Sequence, residues 1–362
     1  MRRLEIVRPT HPAPVTFFKD FSDALDGGIL TNNGPYVQAF EAALTEHLGM
    51  PTIVFSSGQT ALMTMLAAAG IRSGEVICPS FTFCATPHAV RWVGATPVFA
   101  DIDADTLCLD PVSVRSAITG KTRAILGVDP YGIMCDSDGL DRISGGLPVF
   151  LDSAPSFGST AALPRYFDAQ IFSFHATKAL STMEGGALCS YDSEFIERAK
   201  QIRNFGQDAH GDCLYPGLNG KMLEICAIIG LKQLESWSQK VRWRMTFADE
   251  LADAIADIPG VTVIRAPHGQ HPVWLYRPIL IEDKFGLSRD AVVAELKKAG
   301  INTRTYYRPC HTLSCYYVGQ SLPVTEIIAN KVIALPVYNN MQPDEIMMIA
   351  DMLRKIQKDA AR

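Results

Sequence analysis

The sequence predicts an α/β protein whose core is a mainly parallel β-sheet flanked by helices, followed by a smaller C-terminal α+β domain. Strand-like and helical segments alternate between residues 52 and 190, a pattern typical of parallel strands joined by helical crossovers. This pattern changes after Arg203. The chain also has 362 residues, more than one domain usually holds. We therefore expect a large domain at 1–240 and a small domain at 241–362.

The N-terminal segment is predicted to lie outside the sheet. Residues 2–10 and the proline-rich stretch after them are too short for a domain, and we expect a strap over the surface. Helices are expected at 15–25 and 36–48. A polar turn at 30–35 separates them, and it ends in Pro35, which suits the first position of a helix because its missing N–H costs nothing there.

The remaining elements follow from hydrophobic periodicity and from glycine and proline breaks. The expected strands of the large domain are 52–55, 75–78, 97–100, 123–128, 148–151, 169–174 and 187–189, and the expected helices are 59–69, 83–93, 111–118 and 136–143. A long helix from 222 to about 256 is expected to connect the domains. In the small domain we expect strands at 261–265, 273–281 and 300–305 and helices at 288–298, 324–330 and 342–357.

Composition and charge disfavour several classes of partner. The formal net charge is −5, so we expect neither a nucleic acid nor a membrane as partner. We find no basic and apolar leader and no apolar run near the ~20 residues that span a bilayer, and expect a cytoplasmic protein. The nine cysteines show no paired framework, which favours reduced thiols. Cys310, His311 and Cys315 are too few donors for a zinc site, and no metal is expected.

Lys178 is the first candidate for chemistry. Strand-like residues run up to Phe174 and a second apolar run follows Gly186, so the lysine lies on a short turn between two buried strands. Burial penalises the charged ammonium and leaves more of the amine free as a nucleophile, as Schiff-base chemistry requires. A solvated lysine in a surface loop would fit the same local pattern.

Two upstream features suit a lysine of this kind. Asp152 ends a short buried strand, and ligands of α/β proteins bind at the carboxyl ends of strands. Ser57 and Gly58 lead from another strand into a helix, whose first N–H groups can hold a phosphate. In an enzyme that uses pyridoxal 5′-phosphate (PLP), such a carboxylate keeps the pyridine nitrogen protonated and such a lysine forms the Schiff base.

Further motifs extend over almost the whole chain. They are Leu30-Thr31-Asn32-Asn33-Gly34-Pro35, Ser57-Gly58 with Ala61-Leu62, Pro79-Ser80-Phe81-Thr82-Phe83, Pro97-Val98-Phe99-Ala100-Asp101-Ile102-Asp103, Tyr131-Gly132, Ser173-Phe174-His175 to Lys178, Glu184-Gly185-Gly186, Arg203-Asn204-Phe205-Gly206 and Gly217-Leu218-Asn219. In this order they resemble the DegT/StrS sugar aminotransferases, a family of fold type I PLP-dependent transferases. The resemblance implies a large domain with a mainly parallel seven-stranded sheet and a small C-terminal domain.

The resemblance also implies a role for each site residue. The catalytic residues are Lys178 and Asp152. The cofactor-binding residues are Ser57, Gly58, Gln59, Phe83, Asp152, Ser173, Lys178 and Asn219. The substrate-binding residues are Thr31, Asn32, Glu184, Tyr306, Tyr307 and His311. Phe83 would stack on the cofactor ring, and Asn219 would reach the phosphate of the other subunit, which implies a homodimer with active sites at the interface. The local sequence alone allows other interpretations. Phe83 could be a core residue, and the polar residues at 30–35 could serve only to form the turn. The tyrosines could belong to an aromatic loop that packs on the sheet.

The resemblance implies transamination. An amino acid, L-glutamate in this family, gives its amino group to PLP and leaves pyridoxamine 5′-phosphate, which passes the amine to a keto-sugar. We expect a nucleotide-linked 3- or 4-keto-6-deoxy sugar, in the synthesis of amino sugars for lipopolysaccharide O-antigen or an antibiotic. Two alternatives stay open: an aminotransferase for a cyclitol or another free ketone, and a PLP-binding regulatory protein without turnover. A nicotinamide-dependent Rossmann enzyme is disfavoured because no G-x-G-x-x-G motif follows the first strand.

Three positions depart from the commonest pattern of the family. Gln59 stands where a threonine usually follows the glycine, and Asp129 stands where a histidine is frequent. Pro155 replaces the glutamine or histidine that usually contacts the ring hydroxyl of the cofactor. Since Pro155 has no side-chain donor, that contact must be absent, water-mediated or supplied elsewhere. Lys178 matches the family, which disfavours the dehydratase branch that has histidine there.

Overall fold

The computed structural model describes residues 3–162 and 165–362; Arg2 of the predicted strap lies outside them. The α-helices are α1 (Pro14–Asp26), α2 (Pro35–Leu48), α3 (Gly58–Ala68), α4 (Ala85–Trp92), α5 (Pro111–Ala117), α6 (Ser137–Ser144), α7 (Ser193–Arg203), α8 (Glu224–Glu235), α9 (Trp237–Ile255), α10 (Arg289–Lys298), α11 (Pro323–Lys331) and α12 (Pro343–Ala360). The strands are β1 (Thr52–Phe55), β2 (Glu75–Pro79), β3 (Thr96–Ala100), β4 (Thr122–Val128), β5 (Val149–Asp152), β6 (Thr160–Ala161), β7 (Ala169–Ser173), β8 (Gly186–Cys189), β9 (Val261–Val263), β10 (Gln270–His271), β11 (Tyr276–Ile281) and β12 (Val332–Pro336).

Seven strands form the central sheet, in the order β1-β8-β7-β5-β4-β2-β3. The strands from β7 to β3 in this order pair in parallel, whereas β8 runs antiparallel to both of its neighbours. The expected mainly parallel, seven-stranded sheet is therefore confirmed. Parallel neighbours require crossover connections, and the predicted helices α4, α5 and α6 follow β2, β3 and β4. The connection from β5 to β7 instead carries the short strand β6 and no helix among its described residues.

Both faces of this sheet are covered. Along β4, Ala124 and Leu126 belong to one hydrophobic cluster, whereas Ile125 belongs to the cluster on the opposite face. The first cluster includes Leu62 of α3 and Ile196 of α7. Since successive side chains of a strand point to opposite faces, this division explains why β4 reads as an almost continuous apolar run.

A second sheet of three antiparallel strands, in the order β12-β11-β9, lies in the C-terminal part. The strand predicted at 300–305 is wrong. Ile301 forms an isolated bridge to Leu4, and Arg304 forms one to Ala334, because the segment crosses from one partner to another and follows neither. The sheet is completed by β12, which the sequence analysis does not predict.

The helix predicted at 222–256 is two helices, α8 and α9. Ser236 separates them, with φ −113° and ψ 13°, and ends α8. The predicted boundary between residues 240 and 241 falls inside α9, and the division into two domains stays a prediction. Among the described residues, no helix is both long enough and apolar enough to cross a membrane.

Candidate active site

The two predicted catalytic residues lie at the same edge of the central sheet. Asp152 is the last residue of β5, and Lys178 lies on the turn after β7, which pairs in parallel with β5. The antiparallel strand β8 starts directly after that turn, with Gly186 opposite Ser173. The sheet topology therefore brings together two residues that are 26 positions apart in the chain.

The turn that carries Lys178 is held by its own backbone. The Phe174 N–H donates to the Gly185 carbonyl at 2.8 Å, and the Thr182 N–H donates to the Phe174 carbonyl at 2.9 Å. Burial lowers the pKa of Lys178 from 10.5 to about 8, although the charge of Asp152 acts in the opposite direction. The lysine amine is thus far closer to its neutral, nucleophilic form than a solvated lysine would be.

Asp152 is a buried carboxylate, only 5% exposed. Its Oδ2 accepts a hydrogen bond from the Thr86 hydroxyl at 2.7 Å, and its Oδ1 accepts one from the Ala154 N–H at 3.2 Å. Burial raises its pKa, while these two hydrogen bonds and the charge of Lys178 oppose that shift. No arginine or lysine forms an ion pair with Asp152 in the described part of the chain. A buried carboxylate of this kind suits a cationic partner such as a protonated pyridine nitrogen.

The predicted phosphate site is formed where α3 begins. The Ser57 hydroxyl caps α3 by accepting from the Thr60 N–H at 3.1 Å, and the first-turn N–H groups of Gly58 and Gln59 have no acceptor within the helix. Ser173 borders this turn, because a Cβ added to Gly58 would lie 2.9 Å from the Ser173 Cβ. Hydroxyl and amide donors at a helix start match the needs of a phosphate group. The donor set therefore fits PLP.

Phe83 is 57% exposed and lies two residues before α4, the helix that carries Thr86. An exposed ring is consistent with stacking on a ligand and argues against the core alternative. Asn219 is exposed as well, and it forms an isolated bridge with Asn204. The roles of both residues toward the cofactor stay predictions.

The predicted substrate residues Thr31 and Asn32 lie in the polar segment before α2. Two side chains that sequence reasoning missed hold this segment. Glu224 accepts from the Tyr36 N–H in the first turn of α2 at 2.8 Å, and Arg203 donates to the Asn33 side chain at 3.4 Å. The signal was available for Arg203, which belongs to one of the shared motifs, but nothing in the sequence marks Glu224 as a support for this turn.

The other predicted substrate residues differ in accessibility. The Glu184 side chain is 62% exposed and lies 3.5 Å from His175. Tyr306 is partly buried, whereas Tyr307 is only 7% exposed and packs edge-on against Phe81, with ring centroids 5.4 Å apart. The Glu184 side chain is accessible to a ligand in this structure, whereas most of the Tyr307 ring is buried against other side chains.

His311 is 2% exposed and already has partners for both ring nitrogens. Its Nδ1 lies 2.6 Å from the Ser80 hydroxyl, and its Nε2 lies 3.3 Å from a Glu326 carboxylate oxygen. These contacts weigh against direct substrate binding by His311, which stays a prediction. They join the segment after β2 to the start of α11.

The family model for DegT/DnrJ/EryC1/StrS aminotransferases matches residues 15–354. The chain belongs to this family. It is 33% identical to the dTDP-4-amino-4,6-dideoxy-D-glucose transaminase of Escherichia coli, covering 97% of this chain and 98% of the relative. It is 37% identical to the transaminase of the same name from Shigella dysenteriae, covering 90% and 92%. A crystal structure of DesI in the presence of its TDP-sugar product superposes with a TM-score of 0.94 at 35% identity, over 100% of this chain and 95% of DesI.

Family membership establishes the reaction class. DegT/DnrJ/EryC1/StrS aminotransferases depend on PLP, and this chain is a PLP-dependent aminotransferase with a fold type I architecture. The family assignment made from motifs is confirmed. The role of each individual residue stays a prediction.

The departure at Asp129 now has a structural explanation. The carboxylate is fully buried and forms an ion pair with Arg165, while the hydroxyls of Ser153 and Ser156 also donate to it. Its oxygens are thus occupied, and Asp129 is not free to bind the ring nitrogen. Sequence reasoning missed Arg165, because nothing local connects it with a residue 36 positions away.

A cleft of about 800 Å³ lies apart from this site, and neither Lys178 nor Asp152 lines it. Its lining includes Asp136, Ala162 and Arg165. We place the candidate active site at Lys178 and Asp152 because of their chemistry, and not by the volume of this cleft.

Proposed function

We propose that this family member transfers an amino group from L-glutamate to the C4 carbonyl of a nucleotide-linked 4-keto-6-deoxy sugar, with thymidine diphosphate as the nucleotide. The observation that carries the proposal is the near full-length similarity to two transaminases named for a dTDP-4-amino-4,6-dideoxy sugar. DesI, which was crystallised with a TDP-sugar product, supports the same substrate class. The product would be a 4-amino sugar for the synthesis of amino-sugar-containing polymers or natural products.

Asp152 and the start of α3 hold the cofactor in this proposal. PLP supplies an electron sink when it is bound. Asp152 keeps the pyridine nitrogen protonated, because a nearby negative charge favours the protonated form. Ser57, Gly58 and Ser173 hold the phosphate through hydroxyl and backbone N–H donors, and Gln59 adds the next N–H of the same turn.

Lys178 has two tasks in the proposed reaction. It first holds the cofactor through its amine, and after release it moves a proton at the carbon atom that bears the amino group. A general base is most effective when its pKa lies near the working pH, and the pKa of Lys178 is about 8. The burial that lowers this pKa thus serves both tasks.

The proposal includes a homodimer with shared active sites. Asn219 is exposed, and the segment around it exposes the apolar side chains of Phe205, Leu214 and Leu223 to between 47% and 50%. Clustered apolar exposure of this kind is typical of a surface that a second subunit covers. In such a dimer Asn219 would contact the cofactor phosphate of the partner subunit.

The test is mass spectrometry of the products. Protein loaded with pyridoxamine 5′-phosphate is mixed separately with a 4-keto dTDP-sugar, a 3-keto dTDP-sugar and a free cyclitol ketone. Conversion of the 4-keto sugar to its 4-amino product supports the proposal. Amination of the 3-keto sugar or the cyclitol alone would overturn the substrate assignment, and loading without turnover of any ketone would favour a regulatory protein.

Two variants control this experiment. Lys178→Ala removes the proposed base and should abolish product formation with every ketone. Lys232→Ala removes a lysine of α8 that pairs with Asp20 and Glu235 on the surface, and it should leave product formation unchanged. Turnover in Lys178→Ala equal to that of the unmodified protein would exclude Lys178 as the catalytic lysine.

A further inference from the structure

Two threonine hydroxyls and the Asp152 carboxylate form a chain of hydrogen bonds beneath the site. The Thr86 Oγ1 lies 2.7 Å from Asp152 Oδ2 and 2.9 Å from Thr82 Oγ1. A hydroxyl has one proton to donate, and an ionised carboxylate can only accept. Since Thr86 donates to Asp152, Thr82 must donate to Thr86. The chain therefore has a single direction, toward the carboxylate.

All three members of this chain are removed from water. Thr86 is 0% exposed, Thr82 is 3% exposed and Asp152 is 5% exposed. A hydrogen bond to a charged group is strengthened in such surroundings, and neighbouring bonds in a chain polarise one another. The loss of the Thr86 hydroxyl would leave Asp152 Oδ2 without that donor and without water to replace it.

The charges around Asp152 do not stabilise its ionised form by themselves. The charge of Lys178 favours the ionised form, whereas the charge of Asp129 disfavours it. Cys78 and Tyr307 are neutral neighbours, and the charge of Asp152 raises the pKa of each. Burial is the largest effect on the carboxylate and favours its neutral form, and among the opposing effects the Thr86 hydrogen bond is the largest. The Thr86 hydrogen bond is thus the largest single effect that favours the ionised carboxylate.

We propose that Thr86 is a positioning residue that holds the Asp152 carboxylate in its ionised form and in a fixed orientation toward the pyridine nitrogen of PLP. The orientation is fixed at two points, because the Ala154 N–H donates to the other oxygen. The inference rests on the proposed function, since it assigns Asp152 to the ring nitrogen.

The same short segment also carries Phe83. The Thr86 N–H donates to the Phe83 carbonyl at 3.1 Å, and the Thr82 carbonyl accepts from the Cys310 thiol at 3.4 Å. The residue expected to stack on the ring and the residue that supports its nitrogen partner are thus parts of one hydrogen-bonded turn. The thiol contact ties that turn to the segment that follows the predicted substrate tyrosines.

The test compares variants that keep or remove the hydroxyl. Thr86→Val retains the shape without the hydroxyl, Thr86→Ala removes the hydroxyl without adding a methyl group, and Thr86→Ser retains it. Thr64→Val is the matched control, because Thr64 is a buried threonine of α3 whose Oγ1 has no hydrogen-bond partner among the described residues. Circular dichroism confirms folding of each holoenzyme before the comparison.

The first readout is the nitrogen-15 chemical shift of labelled PLP in each holoenzyme, which reports protonation of the ring nitrogen without turnover. We expect a protonated ring in the unmodified protein, Thr86→Ser and Thr64→Val, and a shift toward the neutral ring in Thr86→Val and Thr86→Ala. The second readout is the rate of the half-reaction with L-glutamate. We expect its maximal rate constant to fall by about 10- to 100-fold in Thr86→Val, the effect of losing one hydrogen bond to a charged group, with little change in the L-glutamate concentration that gives half of that rate.

The outcomes separate this inference from the proposed function. Equal nitrogen-15 shifts and equal half-reaction rates in the unmodified protein and in the folded variant that lacks the hydroxyl would overturn the role of Thr86. A neutral ring nitrogen in the unmodified holoenzyme would overturn it as well. Failure of the unmodified protein to react with L-glutamate would instead contradict the proposed function. Recovery of the rate in Thr86→Ser would support the hydroxyl as the cause.

Discussion

Asp129 and Arg165 form a buried ion pair with two hydrogen bonds, 3.2 Å from Nη1 to Oδ2 and 2.9 Å from Nη2 to Oδ1. Ser153 and Ser156, which follow Asp152 in the chain, donate to the same carboxylate at 2.7 and 2.9 Å. The Asp129 carboxylate therefore links the residue that follows β4 to the segment after β5. This arrangement fixes the strand end that carries Asp152.

The first prediction is that Arg165→Met strongly destabilises the protein. Burial would raise the pKa of Asp129, but the charge and hydrogen bonds of Arg165 lower it. Without Arg165 the carboxylate is buried and uncompensated, and we expect the free energy of unfolding at neutral pH to fall by about 3–5 kcal/mol. Urea denaturation measures this change. A carboxyl group whose pKa is lowered by folding stabilises the fold at pH values above its pKa in the unfolded chain. The stability difference between the unmodified protein and Arg165→Met should therefore shrink as the pH falls and Asp129 is protonated.

The control is Lys19→Met, which removes an exposed ion pair with Asp23 on α1. Pairs in contact with water contribute little, so we expect no measurable change in the urea midpoint. If Arg165→Met proved as stable as Lys19→Met, the Asp129 ion pair would not support the fold as argued.

The second prediction is that Asp152→Asn lowers kcat much more than cofactor affinity. The amide keeps the size of the side chain but cannot stabilise a positive charge on the ring nitrogen, and this loss falls on the transition state. We expect kcat to fall by at least about 100-fold, the scale seen when one electrostatic stabiliser is removed. Steady-state kinetics at saturating PLP measures the effect.

Asp110→Asn is the matched control for this substitution. Asp110 caps the start of α5 by accepting from the N–H groups of Val112 and Ser113, and asparagine caps helices about as well. We expect unchanged kcat. Turnover of Asp152→Asn close to that of Asp110→Asn would mean that a different residue holds the ring nitrogen. The occupied carboxylate of Asp129 makes it a poor substitute.

Local periodicity was sufficient to predict the central sheet and the positions of Lys178 and Asp152. The strands around these residues are short apolar runs that end at turn residues, and both signals lie within a few positions of the chain. The same approach failed at 300–305, which reads as a strand from its own composition. Whether such a segment becomes a strand depends on its neighbours, and here it meets Leu4 on one side and Ala334 on the other.

The supporting contacts of the site could not be predicted in this way. Thr86 meets Asp152 across 66 positions of sequence, and Ser80 meets His311 across 231. Each contact depends on which strands and loops become neighbours in the fold, and the residues themselves are ordinary members of helices and turns. For His311, the family resemblance implies substrate contact, which stays a prediction, and its contacts with Ser80 and Glu326 could not be read from the sequence.

The third prediction concerns the shared active site. If Asn219 reaches the cofactor phosphate of the partner subunit, each active site contains Lys178 from one subunit and Asn219 from the other. A hybrid dimer of Lys178→Ala and Asn219→Ala subunits then contains one site with both defects and one intact site. Mixing the two inactive or weakened variants under conditions of subunit exchange should restore part of the activity, measured as transamination by the mixture.

Mixing Lys178→Ala with Asp152→Asn is the control for this experiment. Both residues lie at the same edge of one sheet, so every site in a hybrid of these two variants has at least one defect. No activity should return. Restoration in both mixtures, or in neither, would contradict the assignment of Asn219 to the partner site, and full activity in a monomer would contradict the dimer itself.

The last prediction follows from the charge of Lys178 in the protein freed of PLP. Its pKa falls from 10.5 to about 8 in the fold because burial disfavours the ammonium. Below about pH 8 the lysine is protonated in both the folded and unfolded states, and the folded state is destabilised by the full free-energy cost of burying the ammonium. Between about 8 and 10.5 the unfolded chain binds more protons than the folded one, so stability rises with pH in this window.

Lys178→Met, which keeps the length of the side chain without its charge, should therefore stabilise the cofactor-free protein at pH 7. The gain is on the order of 3 kcal/mol at most, since the side chain keeps partial exposure and water relieves some of the penalty. It should decrease steadily as the pH is raised through the window above. Urea denaturation at a series of pH values measures this, with Lys297→Met on the exposed face of α10 as the control that should show no such trend. A gain that is absent at pH 7, or that grows toward alkaline pH, would show that Lys178 is not desolvated and would remove the physical basis for its reactivity at neutral pH.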